Sequence, residues 1–314
     1  MTRVVTRLAS KLRSGDLYAH AFAMLFGGAV VGLAGLLAWE LWRTSALARH
    51  AFGLRFLVTQ TWDPVAGQFG ALAFVYGTVM TSAIALLIAV PLGVGVAIFL
   101  AELAPPRLSA FASMLLELLA AVPSVIYGLI GIAVLVPAMR QYIQPFLETV
   151  FHGFPLFSGP TYGIGLLTAG IILAVMIVPF IVSVGREVLL SVPREQREAA
   201  LALGATRWES TWKVVLPYAR PGLYGAVFLA LGRALGETMA VTMVIGNRPE
   251  IAASLFAPAY SMAAVIANEF SEASQPLYLH ALIEVGLVLF LLTMVVNAVA
   301  RGLIAATEGG GRAR

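Results

Sequence analysis

Long apolar stretches alternate with short polar segments along the whole chain. Six of them reach the roughly 20 residues that a helix needs to cross a hydrocarbon core. They run approximately over Leu17–Trp42, Ala71–Leu100, Phe111–Met139, Tyr162–Leu190, Leu223–Ile245 and Leu277–Ala300. Because lipid satisfies no backbone polar group, each stretch is predicted to be a helix. The pattern therefore predicts an all-α membrane protein with six transmembrane helices in one domain over 17–306, after a terminal segment 1–16 and before a disordered tail 307–314.

Composition excludes a soluble globular domain of this length. Of the 314 residues, 60% are hydrophobic and only 11% are charged. The chain has no cysteine, so disulfide and thiolate chemistry are excluded as well.

Basic residues are concentrated in alternate polar segments, which predicts the orientation in the membrane. They precede the first stretch, fill the fourth loop and follow the last stretch, at Arg3, Arg7, Lys11, Arg13, Arg194, Arg197, Arg207, Lys213, Arg220, Arg301, Arg312 and Arg314. Positive residues favour the cytoplasmic side, so both termini and the loop 191–220 are expected there. The net charge of +4 then follows from topology and gives no reason to expect a nucleic-acid partner.

The polar loop 191–220 contains the signals of two short helices joined by a glycine. Pro193 lies where a first helix would begin, and Gly204 lies where a left-handed C-cap favours glycine. Thr206 and Glu209 have the spacing of a capping box, and Pro217 is expected to end the second helix. A connector with good caps is the plain interpretation, and the flanking spans disfavour a DNA-binding helix-turn-helix. The compact shape is one that another protein can bind.

Two opposite charges lie in the middle of the fifth stretch, where charges are costly. Arg233 and Glu237 are four residues apart, so one helical face would bring them together as a pair. Thr238 and Thr242 would add hydroxyl groups along the same helix. One interpretation is that the pair serves only to lock the packing of the helices. Alternatively, Arg233 could meet a transported oxyanion while Glu237 holds it in place, since the guanidinium fork matches such oxygens.

The loop also resembles a known family signature. Glu198, Ala199 and Ala200, then Gly204, then Leu216 and Pro217, stand at the spacing of the EAA loop of ABC importer permeases. The resemblance implies that this loop docks into a groove on a cytoplasmic ATPase. The chain has no Gly-x4-Gly-Lys-Ser/Thr phosphate loop. It is therefore expected to be a non-catalytic subunit that binds no cofactor, while ATP and magnesium bind to the partner ATPase. No group of His, Asp or Glu residues has the spacing of a metal site.

Most of the chain from about residue 62 resembles phosphate-uptake ABC permeases of PstC type. The similar stretches are Gln68–Thr81, Ala89–Ala104, Val122–Gly131, Gly232–Asn247 and Ser261–Ala273. The resemblance implies a type I ABC importer (MetI-like) permease fold in the bacterial inner membrane. It also implies a PstA-type second permease, a homodimeric PstB-type ATPase and an external PstS-type phosphate-binding protein. A permease for molybdate or sulfate, or the PstA-type sister, remains an alternative. A secondary carrier would lack the EAA loop.

Overall fold

The computed structural model describes the backbone of residues 16–311 and the side chains of residues 18–305. The predicted terminal segment 1–16, apart from Asp16, and residues 312–314 of the predicted tail lie outside this range.

Six helical segments are long and apolar enough to cross a membrane, which confirms the predicted number. Spans 1 to 6 are Tyr18–Thr44, Leu72–Leu103, Ser124–Val150, Leu166–Leu190, Arg207–Leu235 and Pro276–Ala305. Shorter helices connect them at Ala46–Phe52, Arg55–Val58, Pro106–Ala120, Arg194–Ala202, Met239–Ile245 and Met262–Glu269, with one 3-10 turn at Pro155–Phe157. Over residues 16–311 the β-structure is limited to two isolated bridges, Asp63–Gln68 and Gly246–Ala259.

Several spans contain short π-helical segments placed just before prolines. The described residues hold four, Phe99–Leu103, Gly131–Leu135, Met139–Ile143 and Thr211–Val215, which precede Pro105, Pro137, Pro145 and Pro217. In each case the residue before the proline donates its N–H to the carbonyl five positions back. Proline lacks an N–H and its ring crowds the carbonyl four residues earlier, and the wider π turn accommodates both effects.

The third predicted span was placed wrongly. The stretch 111–139 covers two different elements, the Pro106–Ala120 helix and the beginning of span 3, which are separated at Pro123. Pro123 has φ −57° and ψ 138°, an extended conformation that cannot continue the first helix and that precedes the first residue of the next. Span 3 then continues to Val150, into residues that had been predicted as a loop.

The fifth predicted span, 223–245, is also divided. The helix that contains span 5 ends at Leu235, and a separate helix, Met239–Ile245, begins after Gly236, Glu237 and Thr238. Pro217 was predicted to end a helix, but it does not. The wider π turn at Thr211–Val215 makes room for the proline, and the chain remains helical from Arg207 to Leu235.

Spans 2 and 4 form the centre of the bundle. Glycines bring them close together: a Cβ at Gly93 would lie 2.7 Å from an Ile181 side-chain carbon, and one at Gly170 would lie 2.4 Å from an Ile84 side-chain carbon. Small residues at such crossings permit the dispersion contacts that hold membrane helices together. By contrast, the most apolar part of span 1 has no buried residue, and this span packs mainly against span 6 and the helix that follows it.

An aromatic cluster lies at the end of the bundle opposite the Arg194–Ala202 helix. It consists of Trp62, Phe69, Phe74, Tyr260 and Tyr278. The Glu269 carboxylate accepts hydrogen bonds from the Trp62 indole at 2.8 Å and from the Tyr278 hydroxyl at 2.6 Å. Burial raises the pKa of Tyr260, so its hydroxyl stays protonated and accepts a 3.1 Å bond from Asn268.

The last helix extends further than its apolar stretch. It runs over Pro276–Gly311, so the part of the predicted disordered tail that is described, residues 307–311, is helical. Alanine, the strongest helix former, occupies positions 305 and 306 and carries the helix beyond the apolar region.

Candidate functional site

Two breaks in the helical structure lie side by side within the bundle. One separates the Pro106–Ala120 helix from span 3 at Ala121–Pro123, and the other is the Gly236–Thr238 segment. The helices that begin after them run parallel, since a Cβ at Gly128 would meet Ala240 and Met243 while one at Gly131 would meet Val244. Both breaks therefore lie at about the same level. The N-terminal end of a helix favours negative charge.

Arg233 lies in the last turn of its helix, directly before the second break, and its side chain is exposed. It makes no hydrogen bond or ion pair with any residue of the range 18–305. Tyr127, which the sequence did not single out, lies close enough to Arg233 for an electrostatic interaction between the two side chains. The Tyr127 hydroxyl donates a 2.8 Å bond to the Leu119 carbonyl and so connects the two sides of the first break. An exposed cation with no ion-pair partner in the described range therefore lies next to the second break and near Tyr127 of the first.

Glu237 does not pair with Arg233, contrary to the expectation of one continuous helix. Because the helix ends at Leu235, the two residues are not one helical turn apart. The Glu237 carboxylate instead accepts a 3.2 Å bond from the Ala240 N–H, in the first turn of the next helix. This contact satisfies a backbone donor that the helix start leaves free.

Thr238 and Thr242 also make hydrogen bonds at the second break. Thr238 is the N-cap residue of the Met239–Ile245 helix, and its hydroxyl donates a 3.3 Å bond to the Gly236 carbonyl. The Thr242 hydroxyl donates a 2.6 Å bond to the Thr238 carbonyl. Their side chains, like that of Glu237, are partly exposed. The structure therefore brings Arg233, Glu237, Thr238 and Thr242 together at the second break, and a role in substrate transport stays a prediction.

The two-helix geometry of the loop 191–220 agrees with its sequence signals. The first helix is Arg194–Ala202, and Gly204 follows with φ +87°, in the left-handed region. The Ala205 N–H bonds to the Ala200 carbonyl and the Gly204 N–H bonds to the Leu201 carbonyl, which is the Schellman pattern. Thr206 and Glu209 form the predicted capping box at the start of the second helix.

The residues of the EAA signature present a surface suited to a protein partner. Glu198, Ala199 and Gly204 are exposed, Ala200 is partly exposed, and Leu203 keeps 89% of its surface exposed. A shallow groove of about 410 Å³ runs beside them, and it is lined by Gln196, Ala199, Ala200, Leu203, Ala205, Glu209, Lys213 and Val214. Leu216 and Pro217 follow this surface along the chain, where the second helix continues as span 5. Over the described range, His, Asp and Glu form no group that could hold a metal ion.

The family of binding-protein-dependent transport system inner membrane components matches residues 89–308. A Mesorhizobium japonicum protein named phosphate transport system permease protein PstC is 51% identical over 293 residues, covering 92% of this chain and 90% of its own length. A Pasteurella multocida protein of the same name is 51% identical, with coverages of 82% and 81%. A Methanocaldococcus jannaschii protein, named probable phosphate transport system permease protein PstC, is 39% identical, with coverages of 80% and 82%.

Two solved structures show a similar fold. A chain of a bacterial ABC transporter involved in the import of the acidic polysaccharide alginate aligns with a TM-score of 0.60 at 15% identity, covering 96% of this chain and 99% of its own. A chain of the methionine ABC transporter MetNI in an inward-facing conformation aligns with a TM-score of 0.53 at 20% identity, with coverages of 75% and 96%. At these identities the likeness concerns the fold alone.

Proposed function

Because the chain belongs to the family of binding-protein-dependent transport system inner membrane components, we propose that it is the PstC-type permease subunit of an ATP-driven importer of inorganic phosphate. It is a multi-pass inner membrane protein with the fold of a type I ABC importer permease. The permeases from Mesorhizobium japonicum and Pasteurella multocida are named for phosphate transport, and the chemistry of the two helix breaks supports the same substrate for this chain.

The observation that carries the substrate class is Arg233, a guanidinium with no ion-pair partner in the range 18–305, beside two helix breaks. A guanidinium stays charged and offers paired donors that match the oxygens of a phosphate group. Since the side chain is exposed in the single chain, a second permease subunit can face it and complete the pathway. Glu237 contributes by holding the start of the next helix, and Thr238 and Thr242 add hydroxyl groups nearby.

The exposed EAA surface supports docking of a cytoplasmic ATPase. An importer permease of this family works with an ATPase and with a substrate-binding protein in general. We assign these parts to a homodimeric PstB-type ATPase and a PstS-type phosphate-binding protein, with a PstA-type second permease. This chain is then a non-catalytic subunit that binds no cofactor, and ATP and magnesium belong to the ATPase. The distribution of basic residues supports cytoplasmic placement of both termini and of the EAA surface.

The transport cycle then follows from these placements. ATP binding closes the ATPase dimer and moves the two EAA surfaces together, which opens the bundle toward the binding protein. Phosphate passes to the Arg233 region, and ATP hydrolysis returns the bundle to the inward-facing state. ATP is required because an anion that enters a negative-inside cell works against about 2.3 kcal/mol per charge per 100 mV.

The test is uptake by the reconstituted complex. The chain is purified with the three partner types, placed in proteoliposomes and supplied with labelled phosphate and ATP. We expect nucleotide-dependent uptake that unlabelled phosphate abolishes and that excess sulfate or molybdate leaves intact. Strong competition by sulfate or molybdate would transfer the proposal to that anion, and uptake without nucleotide or partners would refute it. Assembly with a PstC-type permease in place of a PstA-type one would assign the chain to the sister type.

A further inference from the structure

Arg197 forms the most extensive side-chain hydrogen-bond set near the EAA surface. Its Nη2 donates to Glu102 Oε1 at 2.8 Å and to the Leu189 carbonyl at 2.7 Å, and its Nη1 donates to the Val192 carbonyl. The Nε lies 3.3 Å from Glu102 Oε1. The Arg197 and Glu102 side chains are only 19% and 12% exposed. From the sequence alone, Arg197 was only one of the basic residues that predict the orientation of the chain in the membrane.

These contacts join three separate elements. Arg197 belongs to the Arg194–Ala202 helix, and Glu102 lies in the π segment that ends span 2. Leu189 is in the last turn of span 4, and Val192 is the second residue after that span. No other side chain of the Arg194–Ala202 helix hydrogen-bonds to a span within residues 18–305. Arg197 is therefore the polar connection between this helix and the two central spans.

A second set of contacts extends the connection around the same π segment. The Ser109 hydroxyl donates a 2.8 Å bond to the Leu100 carbonyl and accepts a 3.3 Å bond from Arg186 Nε. Leu100, like Glu102, lies in the π segment, and Arg186 lies in span 4. The end of span 2 is thus held to span 4 on one side and to the Arg194–Ala202 helix on the other.

We propose that Arg197 is a positioning residue that transmits the movement of the ATPase-docked helix to spans 2 and 4 together. The inference rests on the proposed function, since it requires an ATPase partner. A side chain of this helix that points away from the bundle has no contact through which it could move the spans. Arg197 faces the bundle, and a planar guanidinium can bond to a carboxylate and to carbonyls in different directions at once. Both central spans therefore follow one displacement of the helix.

The chemistry predicts a graded series of variants. Lysine keeps the charge but is a single point donor, so it can hold Glu102 without spanning both carbonyls. Methionine keeps much of the length and removes all donors, but it leaves the Glu102 carboxylate without its partner. The double variant Arg197→Met with Glu102→Leu removes both charges, so no charge is left unpaired in this partly buried place. Arg194→Met is the matched control, because Arg194 is exposed and lies one turn earlier on the same helix.

The experiment measures phosphate imported per ATP hydrolysed by the complete reconstituted complex, with assembly followed by co-purification of the ATPase. We expect this ratio to fall roughly three- to thirtyfold in Arg197→Met, a range typical of residues that carry coupling. Arg197→Lys should lie between this variant and the unsubstituted chain, and Arg194→Met should match the unsubstituted chain. If Arg197→Met prevents assembly, the double variant should restore assembly while the ratio stays low.

Two results would overturn the inference. One is an unchanged ratio in an assembled complex that carries Arg197→Met or the double variant, which would mean that Arg197 only stabilises the fold. The other is an equal loss in Arg194→Met, which would mean that any lost charge on this helix has the same effect. Failure of the unsubstituted complex to import phosphate with ATP would instead contradict the proposed function, so the two failures are distinguishable.

Discussion

The backbone of Gly77 in span 2 lies directly against the main chain of Tyr260. A Cβ at Gly77 would lie 2.2 Å from the Tyr260 carbonyl oxygen, well inside van der Waals contact. The next residue strengthens the junction, because the Thr78 hydroxyl accepts a 2.9 Å bond from the Met262 N–H. Span 2 thus holds the start of the Met262–Glu269 helix through the backbone contact at Gly77 and the side-chain hydrogen bond at Thr78.

We expect Gly77→Ala to destabilise this junction. The clashing atom belongs to the backbone, so a side-chain rotation cannot relieve the contact, and overpacking of this kind costs about 1–3 kcal/mol. Gly95→Ala is the control, since it lies in the same helix and has nothing within 4 Å of its Cβ position. Thermal unfolding in detergent should show a lower midpoint for Gly77→Ala only. Equal midpoints for the two variants would show that the junction can open without cost.

Gly204→Ala should weaken binding of the ATPase. Gly204 has φ +87° and open space around it, so the penalty comes from backbone conformation alone, about 1–2 kcal/mol. Part of that energy is then lost from the ordered EAA surface, and roughly tenfold less ATPase should co-purify. Gly302→Ala is the control, because Gly302 is helical and equally open. Undiminished ATPase binding by Gly204→Ala would mean that the ATPase does not need this cap.

Arg233→Gln should abolish most phosphate uptake while the complex still assembles. The guanidinium has no ion-pair partner in the described range, so its removal leaves no carboxylate unpaired. Arg233→Lys should retain part of the uptake, because charge remains while the paired donors are lost. Arg107→Gln, at an exposed site at the start of the Pro106–Ala120 helix, serves as the control. Uptake at the unsubstituted rate in an assembled Arg233→Gln complex would assign Arg233 to structure.

Glu237→Gln should be tolerated and Glu237→Ala should not. Glutamine keeps an oxygen that can accept the Ala240 N–H, whereas alanine leaves this N–H of the helix start without its partner. The loss of a capping contact costs about 0.5–2 kcal/mol, so Glu237→Ala should unfold at a lower temperature than Glu237→Gln. An equal loss of stability in the two variants would indicate that the negative charge of Glu237 matters more than the capping contact.

Hydrophobic length was sufficient to predict six spans but not the position of the third. The stretch 111–139 has only isolated polar residues, Ser113, Glu117 and Ser124, so a prediction from hydrophobic length continues through Ala121–Pro123. The helix that ends at Ala120 has only 15 residues and is too short to cross the membrane. The signal was Pro123 itself, which fits the start of a helix better than its interior.

At the second break the chemistry was predicted and the geometry was not. The sequence identified Arg233, Glu237, Thr238 and Thr242 as unusual polar residues at membrane depth, and the structure brings them together. Their spacing in a continuous helix led to the wrong expectation of an ion pair. Gly236 lowers the stability of the helix interior, and Glu237 can cap the next helix, so local chemistry favours a break. Tyr127 and Arg197 bond to residues of other elements, which the spacing of residues within one helix does not reveal.

Each π segment contains one residue more than the same stretch of regular α-helix would. The proline that follows favours this wider turn. Removing a single residue from Thr211–Val215 would let the winding become regular. Because the π turn already holds the extra residue, the side chains on the two sides of the deletion would keep nearly their present orientation about the helix axis. The π turn therefore lets the chain carry one more residue near Pro217 while the part of the helix outside the membrane stays aligned with the part inside it.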